Sequence, residues 1–247
     1  MVGLADHMIF LPPPSSYDDD FEGLVHLESA AGDTIAAYHR DTPGARVTVL
    51  FAHGNAEDVG DGAAHAERYA GLGVSVLAFD YPGYGRSTGR PGEEGAYRAA
   101  DAAYRYLVDT LGVDPAAIVA HGRSLGGGVL VDLASREPVG GLVLESSFVS
   151  AYRVVTRLPL LPIDQFRSLA KLRSVHAPVL VIHGDRDDVI PTWHGRRLFE
   201  EVPEDRRFAL WVEGAGHNDL AAVAGDDYWT ALSDFVSVVA GPPPGHP

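Results

Sequence analysis

From Arg46 onward the chain alternates short, almost wholly apolar runs with longer segments of mixed character. The runs are "RVTVLFAHG", "VSVLAFDY", "AIVAHG", "GLVLESS", "PVLVIHG" and "FALWVEG". An apolar residue at nearly every position, rather than at every second one, is the pattern of strands covered on both faces. Between them lie helix-length segments, among them Asp61 to Leu72, Glu94 to Leu111, Leu125 to Arg136 and Trp193 to Val202. Ahead of the alternation, "LVHLES" and "TIAAYHRD" flank "AAGD" and predict a hairpin. The expected fold class is therefore α/β: a mostly parallel twisted sheet with helices on both faces, entered through an antiparallel hairpin. No internal repeat divides residues 1–247, which read as a single domain. Residues 1–20, with "LPPPSS" from Leu11 to Ser16, are expected to form an extended amino-terminal segment, and "GPPPGHP" from Gly241 to Pro247 a flexible tail.

Composition narrows the partners. With 46% hydrophobic and 21% charged residues, the 247-residue chain is that of an ordinary soluble globular protein. Its formal net charge of −15, with no basic run to reverse it locally, argues against nucleic acid and anionic lipid as partners. With no cysteine, the chain has no disulfide, thiolate nucleophile or Cys-type zinc site, which fits a reducing compartment. The beginning, "MVGLADHMIFLPPPSSYDDD", lacks the basic start and continuous apolar core of a signal peptide. No run approaches the roughly 20 apolar residues that span a bilayer. A cytoplasmic protein with no membrane anchor is expected.

In a sheet of this kind the functional groups gather beyond the carboxyl ends of the strands. The segment "AIVAHGRSLGGGVLVDLASR" puts a serine among glycines between a strand and a helix, and Gly122 to Gly126 match G-x-S-x-G, the turn that lifts a serine hydroxyl out of a sheet. A serine hydroxyl needs a base, and the base needs a group that fixes its tautomer. His217, in "GAGHND" after the last strand, is the candidate base. Asp187 of "HGDRDD" is the candidate acid, with Asp185 and Asp188 read as solvated carboxylates or helix caps. His121 and His183 are read as packing or orienting groups. For the oxyanion, the backbone N–H groups of Leu125 and Asn55 are the candidates, Ala56 being the alternative to Asn55 and the Asn55 side chain a possible brace of its own loop. Tyr81 and Tyr84 are placed either at an acyl pocket or in packing, and Arg123 either against a substrate carboxylate or against acidic neighbours. The chemistry calls for no metal or other cofactor. The substrate it suits is a small-molecule ester or thioester.

"HGNAED", "LAFDYPGYGRSTGRP", "HGRSLGG", "LVLESSF", "PVLVIHGDRDDVIP" and "LWVEGAGHNDL" together resemble the α/β-hydrolases, over about Phe10 to Val239. More narrowly they resemble the small, lid-poor serine-hydrolase branch that includes the depalmitoylating α/β-hydrolase-domain proteins. The resemblance implies the α/β-hydrolase fold, with the nucleophile at Ser124, the acid at Asp187 and the base at His217. Depalmitoylating members carry an amino-terminal cysteine cluster that anchors them to membranes. This chain has no cysteine, so the resemblance does not bring that anchoring with it. Only about thirty residues, Ser147 to Ala177, separate two adjacent predicted strands, which argues for a minimal lid and for short to medium acyl chains. Leu158, Leu160, Leu161 and Phe166 are placed either on the floor of an acyl groove or over the edge of the sheet. The expected activity is thus that of a serine carboxylesterase. The alternatives are an acyl-protein or acyl thioesterase and a non-catalytic binding protein of the same fold.

Overall fold

The apolar runs form strands whose successive side chains part to opposite faces of one sheet, as the two-residue period of a strand requires. The computed structural model describes residues 9–151 and 165–242. Among these, eight strands form a single sheet: β1 (Leu24–Glu28), β2 (Thr34–Arg40), β3 (Thr48–Ala52), β4 (Ser75–Phe79), β5 (Ile118–Arg123), β6 (Gly141–Glu145), β7 (Val179–Gly184) and β8 (Arg207–Val212). Their order is β1-β2-β4-β3-β5-β6-β7-β8. The β1–β2 hairpin and the β2–β4 pair are antiparallel, and every later pair is parallel. The predicted architecture is therefore the observed one.

Two layers of helices cover the two faces. On one, Leu50, Leu77, Ala120, Leu142 and Leu144 pack with Ala96, Ala99, Ala100 and Ala103 of α2 (Glu93–Arg105), Leu130 and Leu133 of α3 (Leu125–Arg136) and Leu198 of α5 (Trp193–Glu201). On the other, Val49, Phe51, Val76, Val119, Val143 and Ile182 meet Val59 and Tyr69 of α1 (Val59–Gly71) and Tyr228, Leu232 and Phe235 of α7 (Asp226–Ala240). Short helices α4 (Ser168–Leu172) and α6 (Leu220–Ala224) complete the described helical layers. Five residues are too few to show a helical period, which is why neither was foreseen.

Local sequence explains where the helices begin and end. Asp58 caps α1 by accepting the N–H groups of Gly60 and Asp61, while the Asp61 carboxylate accepts the Asp58 N–H, a reciprocal capping box. The single helix predicted over Glu94 to Leu111 is instead α2 followed by a π-helical turn, Tyr106–Thr110, in which the Leu111 N–H donates to Tyr106 O at 3.0 Å. From Leu11 to Ser15 the amino-terminal segment carries neither helix nor strand, and it is docked on the fold. Phe10 and Tyr17 are buried, and the Tyr17 hydroxyl donates to the fully buried carboxylate of Asp80.

Candidate active site

The turn from β5 into α3 is as tight as its glycines suggested. A Cβ on Gly122 would lie 2.4 Å from Gly126 O, and one on Gly126 would lie 2.1 Å from Ala52 O. Both contacts are with backbone, which cannot step aside. Gly126→Ala is accordingly expected to destabilise the protein by about 3 kcal/mol or more, seen as a fall in Tm of roughly 6–12 °C by differential scanning calorimetry.

Ser124 itself has φ 52°, a left-handed conformation that a non-glycine residue holds only when its surroundings impose it. Three contacts do so: its N–H donates to Glu145 O (2.8 Å), and its carbonyl accepts from Gly127 N (3.1 Å) and Ser147 Oγ (3.2 Å). The residue stands at the N-cap of α3, yet its hydroxyl makes no capping bond. A serine there ordinarily satisfies a free N–H of the first turn. Here the hydroxyl turns to His217 instead, and the opening N–H groups of α3, beginning with Leu125, have no carbonyl ahead of them in the helix.

The structure brings His217 and Asp187 to this serine. His217 Nε2 lies 3.1 Å from Ser124 Oγ, and His217 Nδ1 lies 2.8 Å from Asp187 Oδ2. Asp187 is buried, and its Oδ1 accepts the N–H groups of Val189 (3.0 Å) and Ile190 (2.7 Å). Burial alone would raise its carboxyl, but hydrogen bonds from His183, His217 and the Ile190 N–H outweigh burial and hold it well below the usual carboxylate range. An ionised Asp187 can only accept, so Nδ1 of His217 carries a hydrogen and Nε2 presents a lone pair to the serine hydroxyl. Of the other two aspartates, Asp185 accepts the Gly214 N–H at 2.7 Å, tying the acid loop to the histidine loop, and Asp188 is exposed. His183 is an orienting group, as read from the sequence. Its Nε2 lies 2.8 Å from Ile190 O and 3.4 Å from Asp187 Oδ2, the same oxygen that meets His217.

The loop after β3 faces the elbow from the other side. The Asn55 side chain is fully engaged: Oδ1 accepts from Leu11 N (3.0 Å), Tyr84 Oη (2.7 Å) and Ala56 N (3.1 Å), and Nδ2 donates to Ile9 O. It braces its loop and clasps the amino-terminal segment. The Ala56 N–H is thus taken by the Asn55 side chain. Tyr81 and Tyr84 are wholly buried, with the Tyr81 hydroxyl on His53 O at 2.6 Å, so both hold this loop rather than line an acyl pocket. Phe166 is likewise buried, against Phe10 and Phe148. Leu158, Leu160 and Leu161 lie outside the described residues.

Beneath the elbow is a polar network that sequence reading missed. Glu145, at the end of β6, accepts from Tyr228 Oη (2.7 Å) and lies 3.1 Å from His121 Nε2, whose Nδ1 meets Tyr69 Oη at 2.7 Å. Burial raises the Glu145 carboxyl, but the His121 hydrogen bond and the charges of His121, His65 and Arg123 outweigh it and lower it to about 2. Arg123 pairs with Glu57 and lies 3.5 Å from Glu145, so of its two expected roles it takes the one against acidic neighbours. Its Nη2 also donates to Asn218 Oδ1 (2.7 Å) and His217 O (3.4 Å).

With this geometry in view, similarity to known proteins can be weighed. A family model described as serine aminopeptidase, S33, matches residues 43–171, just over half of the chain. α/β-Hydrolase domain-containing protein 17B of Xenopus tropicalis is 36% identical over 230 residues, covering 90% of this chain and 78% of the relative. The chain belongs to the α/β-hydrolase domain-containing family. Another member, protein 17C of the same frog, is 41% identical over 205 residues, 80% of this chain. The match spans 64% of that relative's length. The Pyrococcus furiosus esterase Pf2001 shares the α/β-hydrolase fold, with a TM-score of 0.78 at 20% identity over 94% of this chain and 100% of the esterase. Among the described residues of this α/β-hydrolase, no helix is long and apolar enough to cross a membrane.

Proposed function

We propose that the protein is a serine carboxylesterase-type hydrolase, cleaving esters or thioesters of short to medium acyl chains in small molecules. The observation that carries this reading is the unbroken hydrogen-bond chain from Ser124 through His217 to Asp187. In the reaction Ser124 Oγ attacks the acyl carbonyl as His217 Nε2 takes its proton, and Asp187 stabilises the resulting imidazolium. The tetrahedral oxyanion is bound by the backbone N–H groups of Leu125 and Asn55. His217 returns the proton to the leaving alcohol or thiol, leaving an acyl-serine. A water deprotonated by His217 then attacks the acyl-serine, releasing the acid and restoring the serine. The short connection between β6 and β7 supports the preference for modest acyl chains, and the family membership supports hydrolysis as the reaction type.

Intact-mass spectrometry after incubation with a fluorophosphonate tests the reading directly. One adduct per wild-type chain, absent from Ser124→Ala, is the expected result, and an acyl-chain series of matched esters and thioesters then ranks substrates. No adduct on folded protein would favour the binding-protein alternative.

A further inference from the structure

Arg123 occupies the variable position ahead of the serine in G-x-S-x-G, where nothing in the chemistry of acyl transfer asks for a cation. Its side chain is only 12% exposed. Each edge of the planar guanidinium meets a different strand end. Nη1 pairs with Glu57, whose other carboxylate oxygen accepts the Gly54 N–H at 2.8 Å, so this pair fixes the loop that carries Asn55. Nη2 donates to Asn218 Oδ1 and His217 O, on the loop after β8. Nε faces Glu145 at the end of β6, whose carbonyl also holds the Ser124 N–H. With these acceptors around it, no open direction is left toward a substrate carboxylate.

We propose that Arg123 is a positioning residue, locking the loop of Asn55 and the loop of His217 onto the turn that carries Ser124. The inference rests on the proposed hydrolase reading, because it concerns the alignment of the same groups. The Nε2–Oγ approach of 3.1 Å spans two loops that share no strand pairing. The sheet sets their coarse separation, and Arg123, which touches both, adds a direct bridge between them. A guanidinium fork spreads its donors over three nitrogens and so reaches acceptors on both of its edges, whereas the three donors of a lysine ammonium radiate from a single atom. A misplacement of about 1 Å between reacting groups costs on the order of 100-fold in rate.

Steady-state hydrolysis of a short-chain p-nitrophenyl ester by R123Q, R123K, N218A and S124A tests this. R123Q is expected to lose roughly 100-fold in kcat with KM within about twofold. R123K, which keeps the charge but not the fork, should not restore the rate. N218A removes only an exposed amide, so it folds whatever befalls R123Q, and a kcat loss of about tenfold is expected of it. Combining R123Q with N218A should cost no more than R123Q alone, since both cut one link. The rate of fluorophosphonate inactivation should fall in step with kcat. Should R123Q not fold, N218A decides by itself. Folded N218A with kcat within about twofold of wild type, beside an inactive S124A, overturns the inference and leaves the hydrolase reading intact. Rescue by R123K reduces the role to bulk charge and also overturns it. Full turnover by S124A overturns both.

Discussion

Replacing Ser124 or His217 by alanine is expected to lower kcat by about 10⁶-fold, and Asp187→Asn by about 10⁴-fold, while the Ser124→Ala/His217→Ala double variant loses no more than the worse single one. In the proposed reaction the three side chains act as one relay, so breaking it anywhere leaves only what the proposed oxyanion donors and substrate binding supply. The aspartate prediction follows from hydrogen-bond polarity. Asp187 accepts from His217 Nδ1 at 2.8 Å and, being ionised, can do nothing else. An asparagine can turn its amide toward Nδ1 and donate, which moves the imidazole hydrogen to Nε2. The ring would then face Ser124 with a hydrogen instead of a lone pair, and the serine would have no base. Because Asp187 is held below the usual carboxylate range, it stays charged in mild acid. The loss of activity on mild acidification should thus not reflect protonation of Asp187, checked by infrared titration of its carboxylate band in wild type against Asp187→Asn.

Glu145→Gln is expected to destabilise the protein by about 3–5 kcal/mol, the cost of removing one member of a buried charged cluster, read as a fall in Tm of roughly 10 °C. Glu145 is enclosed with His121 beneath Ser124, and Tyr228, Tyr69 and Arg123 complete the ring around them. Taking its charge away leaves those donors facing a group that no longer compensates them. The pH dependence has a definite sign. The folded carboxyl is lowered to about 2 from an ordinary value of 4.5, so its stabilisation is complete above about 4.5 and disappears as pH falls toward 2. Urea unfolding of wild type and Glu145→Gln between neutral pH and pH 3 should therefore show the gap between them narrowing in acid. A gap that stayed constant would mean that the charge of Glu145 is not what the network uses.

Most of the sheet was legible because its strands are short, apolar on both faces and punctuated by glycine-rich ends, a pattern few other folds produce. The elbow, Asp187 and His217 were legible for a related reason, since each stands at the end of such a strand and in an order that acyl-transfer chemistry explains. Choosing Asp187 over Asp185 and Asp188 rested on less, and the contacts now distinguish them: only Asp187 is buried against His217. What stayed hidden depends on long-range meetings between elements. Tyr69 and His121 are 52 residues apart, and Glu145 and Tyr228 are 83 apart, with no spacing rule to join them. Arg123 left two roles open for the same reason, because Glu57 and Asn218 reach it from loops 66 and 95 residues away. The docking of the amino-terminal segment was hidden for the same reason, since nothing in its prolines says that Ile9 and Leu11 would bond to the side chain of Asn55, more than forty residues on.

That docking makes the two ends of the chain unequal as handles. Ile9 and Leu11 are stitched by hydrogen bonds to the side chain of Asn55, whereas α7 meets the elbow one step removed, through Tyr228 on Glu145, with Phe235 and Leu232 buried in the core. A load applied ahead of Ile9, from a bulky fusion partner or a surface to which the protein is immobilised, runs through those hydrogen bonds directly into the loop proposed to receive the oxyanion. The same load applied after Ala240 enters α7 at its carboxyl end, while the contact of that helix with the network under the elbow, Tyr228 on Glu145, lies in its first turn. For a sensor or a packed-bed reactor, the carboxyl end is the one to tether.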